Sequence, residues 1–221
     1  RIALSEVDAD AEGGQLRGEG AVVLDDGVSL DGVDLNLTEI DVAVLDRWLP
    51  EPLPVRGTVS GPLRLDGPLS NLDTDGTLTL RRRTAGGTIR RTVAAFDGAL
   101  QLGDEVGVRG FQLRLDPLEW GLIRPFAPSV RLAGSGRLTG RATGSLAEGL
   151  RFEADAVHTA PGDSTPSRVL VDGSLRRSAS GTLAMDVQGD LSPLDLDGVL
   201  SGYPEARVGG RLAGTFRARG P

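Results

Sequence analysis

One stretch, VRGTVSGPLRLDGPL at 55–69, limits the folds open to this chain, because it puts glycines and aliphatics at the same parity. Leu53, Val55, Gly57, Val59, Gly61, Leu63, Leu65, Gly67 and Leu69 are all odd, and the residues between are Pro54, Arg56, Thr58, Ser60, Pro62, Arg64, Asp66 and Pro68. Alternate residues of a strand point to opposite faces, so glycines and aliphatics share one face and polar residues and prolines the other. The pattern returns as VRLAGSGRLTGRATGSL, with Val130, Leu132, Gly134, Gly136, Leu138, Gly140, Ala142, Gly144 and Leu146 in register. It returns again as VGGRLAGTFRARGP, with Val208, Gly210, Leu212, Gly214, Phe216, Ala218 and Gly220. The cores GTVSG, GRLTG and GRLAG begin at Gly57, Gly136 and Gly210. Self-similarity at roughly 75 residues predicts three repeat units, about 1–70, 71–146 and 147–221, in one elongated domain.

Period-two patterning runs through the rest of the chain. Val33, Leu35 and Leu37 alternate, then Ile40, Val42 and Val44; Val106 and Val108 precede Phe111, Leu113 and Leu115. Similar runs start at Leu150, Val169 and Leu183, whereas helical periodicity never lasts beyond a turn or two. Asp26-Gly27, Asp75-Gly76, Gly86-Gly87, Asp97-Gly98, Asp172-Gly173 and the 160–167 loop read as turns or bulges. The expectation is an all-β, repetitive sheet of about 15–20 short strands, mostly joined by hairpins. A Pro-rich connector precedes each glycine motif: LDRWLPEPLP, LEWGLIRPFAPS and LDGVLSGYPEA. Proline cannot donate to a ladder, so these segments, which carry Trp48, Trp120 and Tyr203, read as apolar plugs crossing a sheet edge.

Composition narrows the function classes. The chain has no Cys, which removes disulfides and thiolate metal sites. No Lys is present, so a phosphate-binding P-loop cannot be built, and the single His158 excludes a two-histidine metal motif. A net charge of -7 argues against a nucleic-acid surface. No apolar run approaches the roughly 20 residues of a spanning helix. A chain that opens on RIALSEV and stops inside the third glycine motif reads as a piece of a longer protein.

Glycine on an apolar strand face marks a bend, a bulge or a close approach by a ligand or another backbone. Two readings follow: an open furrow lined by the aliphatics, or a flattened solenoid whose opposite wall packs on the glycines. The recurring G-x-aliphatic-x-G, the run GPLRLDGPLSNLDTDGTLTL and the upstream LDRWLPEPLPVRG resemble the repeats of TamB-like and AsmA-like (translocation and assembly module) proteins of diderm bacterial envelopes. The resemblance covers essentially the whole chain. It implies a curled, taco-like β-groove in a periplasmic protein held to the inner membrane by a segment absent here. It also implies conduction of phospholipid between membranes, or assistance to outer-membrane protein assembly, without enzymatic activity or cofactor. Phospholipid acyl chains are the expected partner, with barrel-assembly proteins engaged through regions outside this segment. The implied groove lining is Val55, Val59, Leu63, Leu65, Leu69, Val130, Leu132, Leu138, Leu146, Val208, Leu212 and Phe216, with groove glycines Gly57, Gly61, Gly136, Gly140, Gly210 and Gly214. The competing classes are a closed β-solenoid or adhesin module and a β-helical carbohydrate-active enzyme.

Other features invite chemistry. DADAEGGQLRGE spaces Asp8, Asp10, Glu12, Gly13 and Glu19 like an EF-hand loop, but Gln15 replaces the aliphatic and no helices flank it, so a hairpin with solvated acids is expected. RRRTAGGTIRR carries Arg81, Arg82, Arg83, Arg90 and Arg91 across a Gly-Gly hairpin. It suits either anionic headgroups or, as the favoured reading, a solvated edge that discourages strand pairing. Nothing resembling a nucleophile elbow accompanies His158.

Overall fold

The computed structural model describes the chain apart from residues 1, 12–13, 26, 48–54, 85, 103–105, 125–130, 163–164, 178–181, 204, 206–207 and 221. The chain divides into two compact units, Arg1–Gln112 and Leu113–Pro221. The first holds β1 (Ile2–Ala11), β2 (Gly14–Leu24), β3 (Val28–Asp41), β4 (Thr58–Pro68), β5 (Leu72–Arg83) and β6 (Ile89–Leu102). β7 (Val106–Glu119) runs across the boundary at Gln112. The second unit holds β8 (Ser135–Ser145), β9 (Leu150–Thr159), β10 (Ser167–Arg177), β11 (Leu183–Asp195) and β12 (Arg211–Gly220). Strand order follows chain order, and within each unit successive strands pair antiparallel.

The described residues form twelve strands of 10 to 14 residues, where 15–20 shorter ones were expected. The difference lies in parity changes that look like strand ends but are bulges. In β3 the register with β4 shifts between Leu30 and Val33 and again between Leu37 and Ile40. Gly32 at φ 58° and Glu39 at φ 54° supply the left-handed residues there. Each bulge inserts one residue and returns the next aliphatic to its original face. In β7 Gly110, at φ 59°, falls at the corresponding step from Val108 to Phe111, and in β11 the register shifts between Leu191 and Leu194.

Asp75-Gly76, Asp97-Gly98 and Asp172-Gly173 lie inside β5, β6 and β10 rather than at turns. Their Asp side chains face the polar side. Their glycines make room for a neighbour on the apolar side: Phe96 lies opposite Gly76, Val187 crowds Gly173, and outside these pairs Gly189 makes room in the same way for Phe216. A Cβ at Gly76 would sit 2.9 Å from the Phe96 ring, and one at Gly98 would sit 2.6 Å from Phe111 Cα. Glycine here lets an aromatic ring lie over the neighbouring strand, the pairing known as aromatic rescue. Phe96 and Phe111 then stack with centroids 6.2 Å apart. Gly86-Gly87 does form the β5–β6 turn, closed by Gly87 N–H to Thr84 O at 2.9 Å.

Each connector begins with a short helical turn, at Val42–Arg47, Trp120–Leu122 and Leu196–Gly202. The first backbone N–H of each turn donates to a glycine carbonyl just before the next strand: Val42 to Gly57 (2.9 Å), Trp120 to Gly134 (3.2 Å) and Leu196 to Gly210 (2.9 Å). Gly57, Gly134 and Gly210 all have positive φ, at 143°, 106° and 102°. This latch recurs at roughly 77 residues and fixes the true repeat alignment. Gly134, not Gly136, is therefore the counterpart of Gly57 and Gly210. Gly136 takes the place of Val59 and Leu212, and does so because its connector brings Trp120 where the others bring Val42 and Leu196. The Trp120 indole donates to Val157 O at 3.3 Å, and a Cβ on Gly136 would come within 2.7 Å of its Nε1.

In the second unit burial concentrates where the connector meets strand ends, and in the first it extends into the strands. In the first unit Val33, Val42, Val55, Leu72 and Ala99 are buried; in the second Leu118, Trp120, His158, Ala160 and Ser167 are. His158 Nε2 lies 2.7 Å from Ala133 O, which places the ring proton on Nε2 because a carbonyl can only accept. Its ring meets Trp120 edge-on at 6.0 Å. The single histidine thus serves the connector plug, together with Ser167, whose hydroxyl accepts from Asp195 N–H at 2.8 Å. Trp48 lies outside the described residues.

Candidate functional site

The antiparallel registers assemble a continuous apolar face in each unit. In the first, Gly18, Leu35, Leu63, Gly76 and Phe96 form one cross-strand row from β2 to β6. Ile40, Val59, Leu80 and Thr92 form a second, and Val33, Leu65, Thr74 and Gly98 a third. In the second unit, Leu138, Ala156, Val169, Leu191 and Gly214 align from β8 to β12. Gly140, Ala154, Val171, Gly189 and Phe216 form the next row. Val33 is buried, and the other aliphatics of these rows are half-buried.

Of the residues named from sequence, Val59, Leu63, Leu65, Leu138, Leu212 and Phe216 lie on these strand faces. Val55, Leu132 and Val208 sit in the connectors ahead of β4, β8 and β12; Val55 is buried, Leu132 half-buried and Val208 58% exposed. Leu69 and Leu146 stand in the turns after β4 and β8, and Val130 lies outside the described residues. The six glycines divide by function. Gly57 and Gly210 hold the connector latch. A Cβ at Gly61 or Gly136 would strike the neighbouring strand's backbone at Thr77 or Val157, and one at Gly140 would approach Glu153 O at 2.9 Å. Gly210, just before β12, and Gly214, on that strand, which pairs only with β11 among the described residues, face open space.

The opposite face carries cross-strand charge ladders. Asp34, Arg64, Asp75 and Asp97 lie in one row of the first unit. Arg141, Glu153, Asp172, Gln188 and Arg217 lie in one row of the second. Arg141 donates to Glu153 through Nε (3.0 Å) and Nη2 (2.6 Å), and Arg168 grips both oxygens of Asp155 at 2.9 Å. Hydrogen bonds from Arg217 and then Arg219 hold the Asp186 carboxyl down at about 2. The Arg168 hydrogen bond lowers Asp155, and the partner carboxylates raise Arg141, Arg168 and Arg217. Exposed pairs of this kind add little stability but orient the sheet's polar side toward water.

The acid-rich N-terminal segment is a hairpin: Asp8 and Asp10 stand on β1 opposite Arg17 and Gln15 of β2, and Gln15 donates to Asp8 at 3.0 Å. Glu12 and Gly13 lie outside the described residues. Neither parity nor motif similarity reveals the Trp120–Gly136 pairing or the latch at Gly134; the extra glycine two residues before GRLTG, Gly134, is their trace in the sequence. No protein-family model matches the chain, and no match to it was found among curated proteins or solved structures.

Proposed function

We propose that this chain is a segment of a TamB-like or AsmA-like envelope protein whose apolar face lines an open, curled groove for phospholipid passing between the inner and outer membranes, or for barrel proteins during outer-membrane assembly. One observation carries the reading: apart from the buried Val33, the aliphatics of the cross-strand rows are half-buried and keep part of their surface open. A closed solenoid would bury those rows against a facing wall. A carbohydrate-active site would gather acids beneath aromatic platforms, whereas these acids are dispersed in Arg-paired ladders and four of the Phe residues lie within or beside the apolar rows.

The energetics suit transport. Each acyl CH₂ withdrawn from water gains about 0.8 kcal/mol, and a lining of Leu, Val, Ile, Ala, Phe and Gly, whose threonines Thr74 and Thr92 are buried, offers little polar contact to trap the chain. The test is native mass spectrometry with lipid extraction on the 221-residue chain exported to a diderm periplasm. Phospholipid should accompany the wild type and be lost from the Val59→Asp, Leu138→Asp, Leu212→Asp triple variant. A folded wild-type protein free of lipid would overturn the proposal.

A further inference from the structure

Among the described residues β12 pairs only with β11, and β1 only with β2. The other strands that follow a latch glycine are covered on both sides. β5 lies on β4 with Gly76 opposite Leu63, and β9 lies on β8 with Ala154 opposite Gly140. A Cβ at Gly61 of β4 would strike Thr77 O of β5, whereas one at its counterpart Gly214 would meet nothing within 4 Å. Both glycines hold positive φ, at 136° and 149°. Gly214 therefore keeps the conformation that admits a close neighbouring backbone.

The repeat identifies the strand that fits. β3 and β11 each lead into a connector, and β1 and β9 each lie two strands before them. Val7 pairs with Gly18 and Gly18 with Leu35, as Ala154 pairs with Val171 and Val171 with Gly189. Leu35 and Gly189 in turn meet Leu63 and Phe216, each six residues after its latch glycine, Gly57 or Gly210. Val7 is thus the counterpart of Ala154, and Phe216 the counterpart of the Gly140 that Ala154 faces. β1 belongs to the class of strand that β12 is shaped to receive, in a register that sets Val7 opposite Phe216 and Ala9 opposite Gly214.

Charge agrees with this register. Residues 2–11 contain three acids and no basic residue, and residues 211–220 three arginines and no acid. Arg211 falls diagonal to Asp10, and Arg217 diagonal to Asp8, a separation that long side chains span. These groups already have partners in their own chain: Asp8 meets Arg17, Arg217 and Arg219 share the Asp186 carboxylate, and Arg211 donates to Thr165. A strand from another copy extends such ladders, as Asp34, Arg64 and Asp75 already run across three strands. Pairing β12 with β12, or β1 with β1, would instead set like charges against each other.

We infer that β12 of one copy pairs antiparallel with β1 of a second copy, joining chains head to tail by strand addition. The contact does not depend on what the apolar face carries.

The chain has no cysteine, so single-cysteine variants of the 221-residue protein report the contact without background. V7C chains are mixed with F216C chains in a glutathione redox buffer. Disulfide-linked heterodimer should exceed that from V7C with A213C, which lies on the other face and out of register, by on the order of tenfold, because the bond needs Cα atoms within about 7 Å. With one cysteine per chain, no bond within a chain can give this product. Sedimentation of wild type should show mass rising with concentration. R211E and D10R should each weaken self-association on the order of fivefold at low salt. An equimolar mixture of the two should recover it, since each interface then joins opposite charges, and that recovery also certifies both folds. A wild type that stays monomeric at every concentration overturns the inference. So do V7C or F216C homodimers as abundant as the heterodimer, A213C crosslinking as efficient as F216C, or a mixture no tighter than its components.

Discussion

Replacing Gly136 tests whether connector and strand are matched within each repeat. In the present backbone a Cβ at Gly136 would lie 2.7 Å from Trp120 Nε1 and 2.9 Å from the Val157 carbonyl carbon, both inside van der Waals contact. Relief requires moving both the buried indole and the Val157 backbone, whose carbonyl oxygen the Cβ would also strike, an overpacking cost of about 1–3 kcal/mol. Displacing the indole also breaks its hydrogen bond to Val157 O, worth about 1 kcal/mol more. Gly136→Ala should therefore lower stability by about 2–4 kcal/mol. Trp120→Val should cost about 3 kcal/mol through the cavity it leaves beside His158. The double variant Trp120→Val, Gly136→Ala removes the indole from the path of the new Cβ and so approaches the Val42 and Val59 combination of the preceding repeat. Urea unfolding followed by circular dichroism should show it at least 1 kcal/mol more stable than the summed singles. Additivity within about 0.5 kcal/mol would refute the matching argument.

Acid should loosen β12 first among the strands of the second unit. Asp186 is held at about 2 in the folded chain against 3.8 unperturbed, so its contribution is complete above about 3.8 and disappears as pH falls through 2. Amide exchange of β12 should accelerate between pH 4 and 2 in the wild type but show no such step in Asp186→Asn; an unchanged step would remove Asp186 from the explanation. Alanine at Gly57 or Gly134 should cost about 1–3 kcal/mol, because each holds a φ that side chains disfavour and would also meet a neighbouring carbonyl. Gly140→Ala, at an ordinary φ, should lower Tm by less than either, and an equal loss would count against the latch assignment.

The alternation of aliphatic and polar residues made the strands and the sidedness of the sheet legible, because a period of two is a local property. Strand number was not, because a bulge and a strand end leave the same parity change; only pairing to β4 shows that Leu37 and Ile40 belong to one strand. Asp-Gly looked like a turn for a similar reason. In β5 its two residues answer separate demands, Asp75 toward the charge ladder and Gly76 beneath Phe96, and both demands come from neighbouring strands. The glycines announced the repeat but not its phase. Aligning GRLTG on Gly136 followed sequence similarity, whereas the hydrogen bond from Trp120 N–H selects Gly134. Candidate lining residues on the strands could be named from parity, but those in connectors could not be sorted in the same way. Val55 is buried and Val208 exposed because burial there depends on how each connector folds back.

Site-resolved crosslinking in living cells addresses the lipid face most directly. A photoreactive residue is placed in turn at Leu63, Arg64, Leu65 and Asp66 of β4, with the protein in a diderm periplasm. The proposed function predicts phospholipid adducts at Leu63 and Leu65 and none at Arg64 and Asp66, an alternation that follows the strand. Adducts at all four positions, or at none, would contradict it.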